Sequence, residues 1–460
     1  MRADLNFEVT CALPTRGARA NNKSWATRMH SGHFSHMKII NPGLVLWPAT
    51  LLGVACSGRV TMEPITGQVD AASATGQGSP SLGTGAGDPG VDEGGTLLAD
   101  SSTDFTSTDA SAGSQQSGSS SSSTLWSGSA SSSSGICDIL KAAGNPCAAA
   151  HSTVRALYSS YIGPLYQVTS SSGTKDIGVL AAGGYANAAD QDSFCTSGCT
   201  ISIIYDQSGN GNDLAPTPSG GGNKSSADNP AGASDFKISI AGHEAYGVYV
   251  KLGVGYRKLA GNGTATGDQA ETEYMVTSQN NLIDGCCFEY GNVETDMRDD
   301  GNGNAEAVYF GGGVVWGTGS PGLHNSGPWV MADLENGLYP GWSSTTQDQD
   351  ILTNTPLKFD YVTAVLVGDT ALQNGGQGRF ALYGGDATGG SLQTEYDGIR
   401  PVKTGYVPMT KQGSIVLGTA GDNSDSGGGI WFEGVMATGA STSATCNAIQ
   451  ANIVAAGYGK

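Results

Sequence analysis

Positive charge is scarce in this sequence: 22 Lys and Arg residues stand against 41 Asp and Glu, so the formal net charge is -19 at pH 7. The first 59 residues hold seven of the basic side chains and only two acids, which leaves a net charge of -24 for the remainder. Phosphate binding needs clustered Lys and Arg, so the sequence predicts no nucleic-acid partner. An anionic membrane surface would repel the acidic body as well.

Histidine is also rare, and its spacing argues against a metal site. Three of the six histidines lie within the first 36 residues, and the others, far apart without ligand spacing, are His151, His243 and His324. The sequence has no Gly-x-Ser-x-Gly elbow in a strand-to-helix context and no phosphate loop. We therefore expect no metal and no cofactor, and carboxylates remain as the groups that could carry chemistry.

Long hydrophobic runs are absent. The apolar stretch from Met37 to Cys56 is interrupted by Pro42 and Pro48 and is too short to span a bilayer comfortably. Its basic start and the small residues before the cysteine indicate a signal peptide. We therefore expect a leader and signal peptide over residues 1–56, with Met37 as the true start, and a secreted or outer-surface protein.

Cys56 leaves two alternatives open for the fate of this segment. The cysteine stands where a bacterial lipoprotein would be cleaved and lipidated, which would give the protein a lipid anchor. Gly53, three residues earlier, is a poor match for the branched residue usual in that motif. The alternative is an ordinary secretory signal that is cut nearby.

The next segment, residues 57–135, is rich in Ser, Gly and Thr, with 17 serines between Ser101 and Ser134. Such a composition cannot bury enough apolar surface to offset the entropy of ordering the chain, so it predicts a disordered linker. The linker could be a spacer from a cell surface or a low-complexity tail without a role. The remaining residues, 136–460, suit one large domain, which we expect to be monomeric.

The composition of this domain predicts an all-β fold. Short β-branched runs bounded by Gly, Asn and Asp indicate strands, and they are Thr200–Tyr205, Tyr246–Val250, Ala307–Phe310, Tyr361–Val367 and Ser414–Leu417. Helical periodicity is scarce, and Cys147–Tyr158 and Ala444–Ala456 are the best candidates. The pattern favours a β-sandwich or jelly roll.

Cysteine usage indicates an oxidising compartment. The spacing pairs Cys137 with Cys147 and Cys195 with Cys199 as small-loop disulfides, and it leaves Cys446 as a buried thiol in the last helix. Cys286 and Cys287 are adjacent, and neighbouring Cα atoms lie about 3.8 Å apart, below the roughly 4.4 Å lower limit of ordinary bridges. From the residues alone, separate partners or reduced thiols are favoured for this pair over a strained ring.

Two acidic segments are candidates for chemistry. Alternation along the segment Trp329–Gly337 puts Trp329, Met331, Asp333 and Glu335 on one face of a strand. The Asn336-Gly337 turn signal leaves Glu335 at the strand end, although a solvated outer face explains the acids equally well. The second segment is the loop Gly421–Ser424, whose glycines allow close approach to a ligand but also suit a plain turn. Acids beside aromatic residues are typical of sugar hydrolysis.

These residues carry a resemblance to the catalytic domain of glycoside hydrolase family 54, the α-L-arabinofuranosidases, which extends over almost all of residues 136–458. Six collinear motifs make it specific: Ala149–Tyr158, Ile203–Gly209, Gly285–Phe288, Val315–Gly319, Met331–Leu338 and Gly421–Ser424. The resemblance implies a concanavalin-like β-sandwich and a retaining double displacement. It also implies an exo-acting enzyme that releases terminal arabinofuranosyl residues from arabinoxylan, arabinan or arabino-oligosaccharides of plant cell walls.

The resemblance assigns roles residue by residue. Glu335 matches the nucleophile and Asp422 the general acid/base. The positions that match sugar contacts are Asp333, Asn336, Gly337 and Gly421, with Trp316 as an aromatic wall of the pocket. Cys286 and Cys287 match a vicinal disulfide against which the sugar packs, which replaces the interpretation from spacing alone.

Two other functions remain as alternatives. The domain could be a glycosidase for another furanoside or for β-xylosides, which paired aryl glycosides would distinguish. It could also be a lectin-like β-sandwich that binds polysaccharide without cleaving it. The presence of both Glu335 and Asp422 argues against a lectin, because binding alone needs neither a nucleophile nor an acid.

Overall fold

The structure, a computed structural model, describes residues 7–11, 56–60, 134–221, 226–312, 327–343 and 354–460. The chain divides into two compact units, Met1–Gly118 and Ser119–Lys460. In the first unit, strand β1 (Phe7–Cys11) pairs antiparallel with β2 (Cys56–Val60), and neither strand was expected from the sequence. The boundaries near residues 56 and 135 stay predictions, as does lipidation of Cys56.

Where the structure describes the second unit, it consists of antiparallel strands and three helices. In chain order the elements are α1 (Ile136–Ala142), β3 (Cys147–Ser152), β4 (Pro164–Ser170), β5 (Gly173–Gly178), α2 (Ala188–Phe194), β6 (Thr200–Ile204), β7 (Ala215–Pro216), β8 (Phe236–Ile240), β9 (His243–Val250), β10 (Tyr256–Lys258), β11 (Glu271–Ile283), β12 (Glu289–Val293), β13 (Glu306–Gly311), β14 (Trp329–Asp333), β15 (Leu338–Tyr339), β16 (Val362–Asp369), β17 (Arg379–Asp386), β18 (Gln393–Gly398), β19 (Ser414–Leu417), β20 (Gly428–Thr438) and α3 (Ser443–Ala456).

Two large sheets form a β-sandwich, as the sequence predicts. One sheet has the strand order β15-β14-β13-β12-β19-β10-β7, and the other β18-β17-β16-β11-β20-β9-β8 with β3 added beside β20. Alternate residues of the facing strands bury a common apolar core, to which Val308 and Val330 contribute from the first sheet and Val365 and Trp431 from the second. A small third sheet has the order β5-β4-β6.

All five strands read from the sequence are present, as β6, β9, β13, β16 and β19, and the predicted last helix is α3. The other predicted helix is wrong, because Cys147–Ser152 forms strand β3. All six residues of β3 are buried, and the strand pairs with β20 through contacts such as Ala150 with Val435. An alanine-rich run has high helix propensity, but pairing with a central strand of a buried sheet overrides it.

The described part of the second unit contains three disulfides: Cys137–Cys147, Cys195–Cys199 and the vicinal pair Cys286–Cys287. Cys446 is a free, buried thiol on α3. The first bridge joins α1 to β3, and the second closes the short loop between α2 and β6. Among the described residues, none of the helices combines the length and the apolar composition that crossing a bilayer requires.

Candidate active site

Strand β14 carries the first acidic segment, and its alternation is as predicted. Val330 and Ala332 face the main core, whereas Trp329 and Met331 join a second apolar cluster on the opposite face of the sheet. Asp333 ends the strand. The chain then turns back into β15 with a hydrogen bond from Leu334 N to the carbonyl oxygen of Gly337.

Glu335 lies within this turn rather than at the end of a strand. Glu335 and Asn336 have φ angles of 58° and 53°, the left-handed values that both central residues of a two-residue hairpin loop adopt. The turn is therefore centred one residue earlier than the Asn336-Gly337 signal predicts. A glutamate rarely adopts this backbone conformation, and such residues concentrate at functional sites.

Hydrogen bonds on three sides hold the turn. The Glu335 backbone N–H donates to Asp333 Oδ1 at 2.9 Å, and the Tyr406 hydroxyl donates to the Glu335 carbonyl oxygen at 2.7 Å. Gly303 N donates to the carbonyl oxygen of Leu334 at 3.0 Å. The Glu335 side chain, 4% exposed, is thus fixed by a backbone that cannot relax without losing these bonds.

Asp422 lies in the loop between β19 and β20. Its Oδ1 accepts a hydrogen bond from Ser424 N at 2.8 Å, and Ala420 N donates to the Ser424 carbonyl oxygen at 2.9 Å. The buried side chain of Asn423 donates to the carbonyl oxygen of Gly220 at 3.0 Å. Side-chain and backbone hydrogen bonds of this kind fix a tight loop. The Asp422 side chain is partly exposed to solvent.

Arg257, on β10, binds the backbone of the loop that carries Asp422. Its Nη2 donates to the carbonyl oxygens of Ala420 and Gly421, both at 2.7 Å, and its Nη1 donates to the Glu294 carbonyl oxygen at 3.4 Å. Burial lowers the pKa of Arg257 to about 10, opposed by surrounding carboxylates that include those of Glu294 and Asp422. One buried guanidinium therefore connects the Asp422 loop to the end of β12.

Glu294 stands between the two acidic segments. Its carboxyl group acts electrostatically on that of Glu335, and it lies against the backbone of Gly421, where an added Cβ would overlap it. Gly421 is thus required by close packing. Glu335 and the Gly421-Asp422 loop therefore both neighbour one buried side chain.

The vicinal disulfide borders the same region. Cys287 Sγ lies 3.2 Å from Asp333 Oδ2, and Cys286 packs against the apolar cluster that contains Trp329. The Cys286 carbonyl oxygen accepts hydrogen bonds from both the N–H and the hydroxyl of Ser426, each at 2.8 Å. The disulfide is therefore tied to the end of the loop that carries Asp422.

Burial and mutual repulsion dominate the electrostatics of the site. Burial, together with the charges of Glu294 and Asp422, raises the pKa of Asp333 to about 7, although the hydrogen bond from the Glu335 backbone N–H lowers it. Burial also raises the pKa of Glu335 well above its usual range, and the neighbouring carboxyl group of Glu294 raises it as well. The site therefore holds protons that exposed carboxylates would release near neutral pH.

The remaining predicted residues are placed as follows. Asn336 is exposed at the tip of the turn and Gly337 is buried behind it. Trp316, with the rest of the Val315–Gly319 motif, lies outside the described residues. The structure describes the other five motifs. Three of them lie at the candidate site: Gly285–Phe288, Met331–Leu338 and Gly421–Ser424.

Sequence reasoning missed Arg257, Glu289 and Glu294. Glu289 is the first residue of the short strand β12, and Glu294 directly follows the strand. Both residues are fully buried. Acids within a buried strand are a usable signal, because a charged side chain is rarely buried without a partner. No short motif marks Arg257, whose partners are backbone carbonyls far away in the sequence.

Metal-ligand spacing occurs once among the described residues, at Cys286, Cys287 and Asp333. The two sulfur atoms are bonded to each other, so neither supplies the thiolate that a metal would need. The site instead offers two carboxyl groups, those of Glu335 and Asp422, and such a pair suits acid/base and nucleophilic chemistry on a glycosidic bond.

Comparison with known proteins decides the family. Residues 136–459 match the family model for the catalytic domain of alpha-L-arabinofuranosidase B. The chain belongs to this family. It is 51% identical over 330 residues to a probable alpha-L-arabinofuranosidase B of Aspergillus fumigatus, covering 70% of this chain and 62% of that protein. It is 49% identical over the same length to a protein of Trichoderma koningii named arabinofuranosidase/B-xylosidase, with 70% and 63% covered.

Solved structures of the family superpose on the same region. An arabinofuranosidase complexed with arabinofuranosyl-α-1,2-xylobiose gives a TM-score of 0.65 at 44% identity, covering 70% of this chain and 65% of that one. An α-L-arabinofuranosidase of glycoside hydrolase family 54 soaked with a cyclic sulfate inhibitor gives 0.64 at 44% identity, with 70% and 66% covered. The chain spans about 62% of the length of the curated relatives that it matches.

Proposed function

We propose that this protein is a retaining, exo-acting α-L-arabinofuranosidase that removes terminal non-reducing α-L-arabinofuranosyl residues from arabinoxylan- or arabinan-type polysaccharides and their oligosaccharides. The observation that carries the proposal is the convergence of Glu335 and the Asp422 loop on Glu294, beside the Cys286–Cys287 disulfide. Membership in the family and the arabinofuranosyl ligand of a relative support the choice of sugar.

In the proposed mechanism, Glu335 attacks the anomeric carbon as the anion, while Asp422 protonates the departing glycosidic oxygen. The covalent arabinosyl ester on Glu335 is then hydrolysed by a water molecule that Asp422, now a carboxylate, deprotonates. Two inversions at one carbon give net retention. This chemistry needs the two carboxyl groups about 5–5.5 Å apart across the sugar.

The other proposed contacts follow from the surroundings of these acids. Asp333 and Asn336 would bind sugar hydroxyls, Gly337 and Gly421 would let backbone approach the ring, and the flat sulfur surface of Cys286–Cys287 would pack against it. Trp316 remains a proposed wall of the pocket. The disulfides support an extracytoplasmic location, as the signal-peptide pattern does, because such bonds persist in oxidising compartments.

A β-xylosidase activity is the second candidate, because one relative's name includes it. The two activities are separated by hydrolysis of 4-nitrophenyl α-L-arabinofuranoside and 4-nitrophenyl β-D-xylopyranoside by the full chain. We expect the arabinofuranoside to have the higher kcat/KM. A preference for the xyloside would replace the proposed substrate, and inactivity on both while polysaccharide is bound would indicate a lectin.

The mechanism is tested by the first-formed product and by two variants. NMR during turnover should show arabinose released first as the α anomer, and release of the β anomer would contradict retention. Glu335→Gln should abolish most turnover, and Asp422→Asn should lower kcat by about 10²–10⁴-fold, the usual contribution of a general acid. Near-normal rates in either variant, with unchanged circular dichroism, would remove that residue from the mechanism.

A further inference from the structure

Asn423 joins the loop of Asp422 to two other segments of the chain. Its side-chain nitrogen donates to the carbonyl oxygens of Pro218, at 3.4 Å, and Gly220, at 3.0 Å, and it lies 3.1 Å from Met297 Sδ. The side chain is buried, and the backbone has a left-handed φ of 65°, which asparagine adopts more readily than most residues. Both segments are therefore fixed beside the proposed acid.

Two glycines make this junction tight. Gly221 has a φ of +78°, and a Cβ placed on it would overlap the carbonyl oxygens of both Met297 and Asp422. A Cβ placed on Gly220, whose φ is +136°, would lie 2.7 Å from Cε of Met297. Only glycine allows the backbone to pass this close. The backbone of Gly221 therefore packs directly against Met297 and Asp422.

Met297 has an unusual backbone conformation and unusual neighbours. Its φ is 61°, a left-handed value that is costly for a bulky side chain, and such residues concentrate at ligand-binding and catalytic sites. Met297 is partly exposed, and Asp296, Arg298 and Asp299 around it are exposed. It is the one apolar side chain in the sequence Thr295–Gly303. The fold therefore holds a thioether at the surface of a polar loop, beside the proposed acid.

The proposed mechanism places the departing sugar beside Asp422. The acid protonates the glycosidic oxygen, so the first sugar of the leaving group must lie next to its carboxyl group. A pyranose ring presents C–H groups on its faces, and the flexible, polarisable side chain of methionine adapts well to such a surface. Met297 offers this kind of surface at the loop that carries the acid.

We propose that Met297 is a specificity-determining residue. Its thioether, held by Asn423 and Gly220, packs against the first sugar of the leaving group, a pyranose ring such as the xylose units of arabinoxylan. This inference rests on the proposed function of the site and adds its leaving-group side. Met297 transfers no proton and forms no bond in this scheme, so it acts on binding of the leaving group.

Kinetics with two leaving groups test the proposal in the full chain. The substrates are an arabinosyl xylobiose and methyl α-L-arabinofuranoside, whose leaving group is a single carbon. Met297→Ala should raise KM for the arabinosyl xylobiose by about 3- to 10-fold, because most of the apolar contact is lost, and change KM for the methyl glycoside by less than about twofold. Met297→Leu keeps an apolar side chain of similar volume, and as the matched control it should change neither KM by more than about twofold.

The pattern over the two substrates separates a leaving-group contact from support of the loop. If Met297 only packed against the loop of Asp422, Met297→Ala would lower kcat on both substrates by a similar factor and leave the ratio of their KM values unchanged. Gly221→Ala forces a side chain against the Asp422 backbone and should give that pattern. The same pattern in Met297→Ala, or unchanged kinetics on both substrates, would overturn the proposal.

A methyl signal of the parent protein separates failure of this inference from failure of the proposed function, and it needs no folded alanine variant. In protein labelled with carbon-13 at the methionine methyl groups, the Met297 resonance is the one that Met297→Leu lacks. Xylobiose should shift this resonance, whether or not the protein cleaves arabinofuranosides, and should leave that of Met436, buried on β20, unchanged. An unchanged Met297 resonance would refute the contact. A shift in a protein that hydrolyses no arabinofuranoside would keep the sugar-binding surface and remove the enzyme assignment.

Discussion

Arg257 Nη2 lies 2.7 Å from the carbonyl oxygen of Gly421, the residue before Asp422. The same nitrogen also holds the preceding carbonyl oxygen, of Ala420, so the peptide that leads into Asp422 is fixed by one buried cation. The position of the proposed acid therefore depends on a residue on β10, more than 160 residues earlier in the chain.

Arg257→Met should lower kcat by about 10- to 100-fold with a smaller change in KM, because a displaced acid still binds substrate but protonates it poorly. The loss should be greater on an arabinosyl xylobiose than on 4-nitrophenyl α-L-arabinofuranoside, whose leaving group needs little protonation. Arg257→Lys keeps the charge but not the guanidinium fork, and it is the matched control. Its kcat should lie between that of the parent and that of Arg257→Met. Equal losses on both substrates would indicate a general structural defect.

Tyr406→Phe should lower both stability and turnover. The variant loses the hydrogen bond to the Glu335 carbonyl oxygen, at a cost of about 0.5–1.5 kcal/mol in the free energy of unfolding, and it frees the strained turn. Tyr339→Phe is the control, because Tyr339 donates only to the Tyr406 hydroxyl and leaves that bond in place. Urea unfolding should show a loss in both variants, whereas kcat should fall clearly only in Tyr406→Phe. A comparable drop of kcat in Tyr339→Phe would argue against the anchor.

Replacing both vicinal cysteines, as Cys286→Ala with Cys287→Ala, should raise KM more than it lowers kcat. The sulfur pair lies beside Asp333 and is proposed to pack against the sugar, and losing about 1–2 kcal/mol of such contact corresponds to roughly tenfold weaker binding. Cys195→Ala with Cys199→Ala removes a bridge away from the site and is the control. Steady-state kinetics of both double variants measure the difference. Equal KM values for the two double variants would exclude a sugar contact at Cys286–Cys287.

Stability should fall as the pH rises from about 4 to 7, and Glu395 should contribute to this. Burial raises the pKa of Glu395 to about 7, and only a hydrogen bond from Thr355 N opposes the shift. The folded protein thus binds this proton more tightly than the unfolded chain, so the contribution is intact below about pH 4 and is lost by pH 7. Glu395→Gln should recover about 1–3 kcal/mol of the difference in unfolding free energy between these two pH values.

The fold was largely predictable from local patterns. Alternation in Trp329–Asp333 and the β-branched runs of β16 and β19 are strong period-two signals, and the sandwich follows from them. Strand β3 was not predictable in this way, because its alanines favour a helix and only pairing with β20 makes it a strand. The turn at Glu335 was placed one residue late, since Asn-Gly is the stronger local signal and the left-handed glutamate is imposed by Asp333, Gly303 and Tyr406.

The two proposed catalytic acids could be named from sequence because each lies in a motif of the family. The residues that surround and hold these acids, Arg257 and Glu294, could not be named from the sequence. Arg257 binds backbone carbonyls, which carry no sequence identity, and Glu294 faces Glu335 only after β12, β13 and β14 have paired in register. These contacts are long-range, so periodicity and turn signals contain no information about them.

We propose that Glu335 becomes covalently bonded to the anomeric carbon of the arabinosyl group during turnover. Incubation of the full chain with a mechanism-based arabinofuranose inhibitor, followed by digestion and peptide mass spectrometry, measures this directly. We expect one equivalent of adduct on Glu335 and loss of activity in proportion to labelling. We expect no adduct in Glu335→Gln. Labelling at another residue of the active parent, or full labelling of Glu335→Gln, would contradict it.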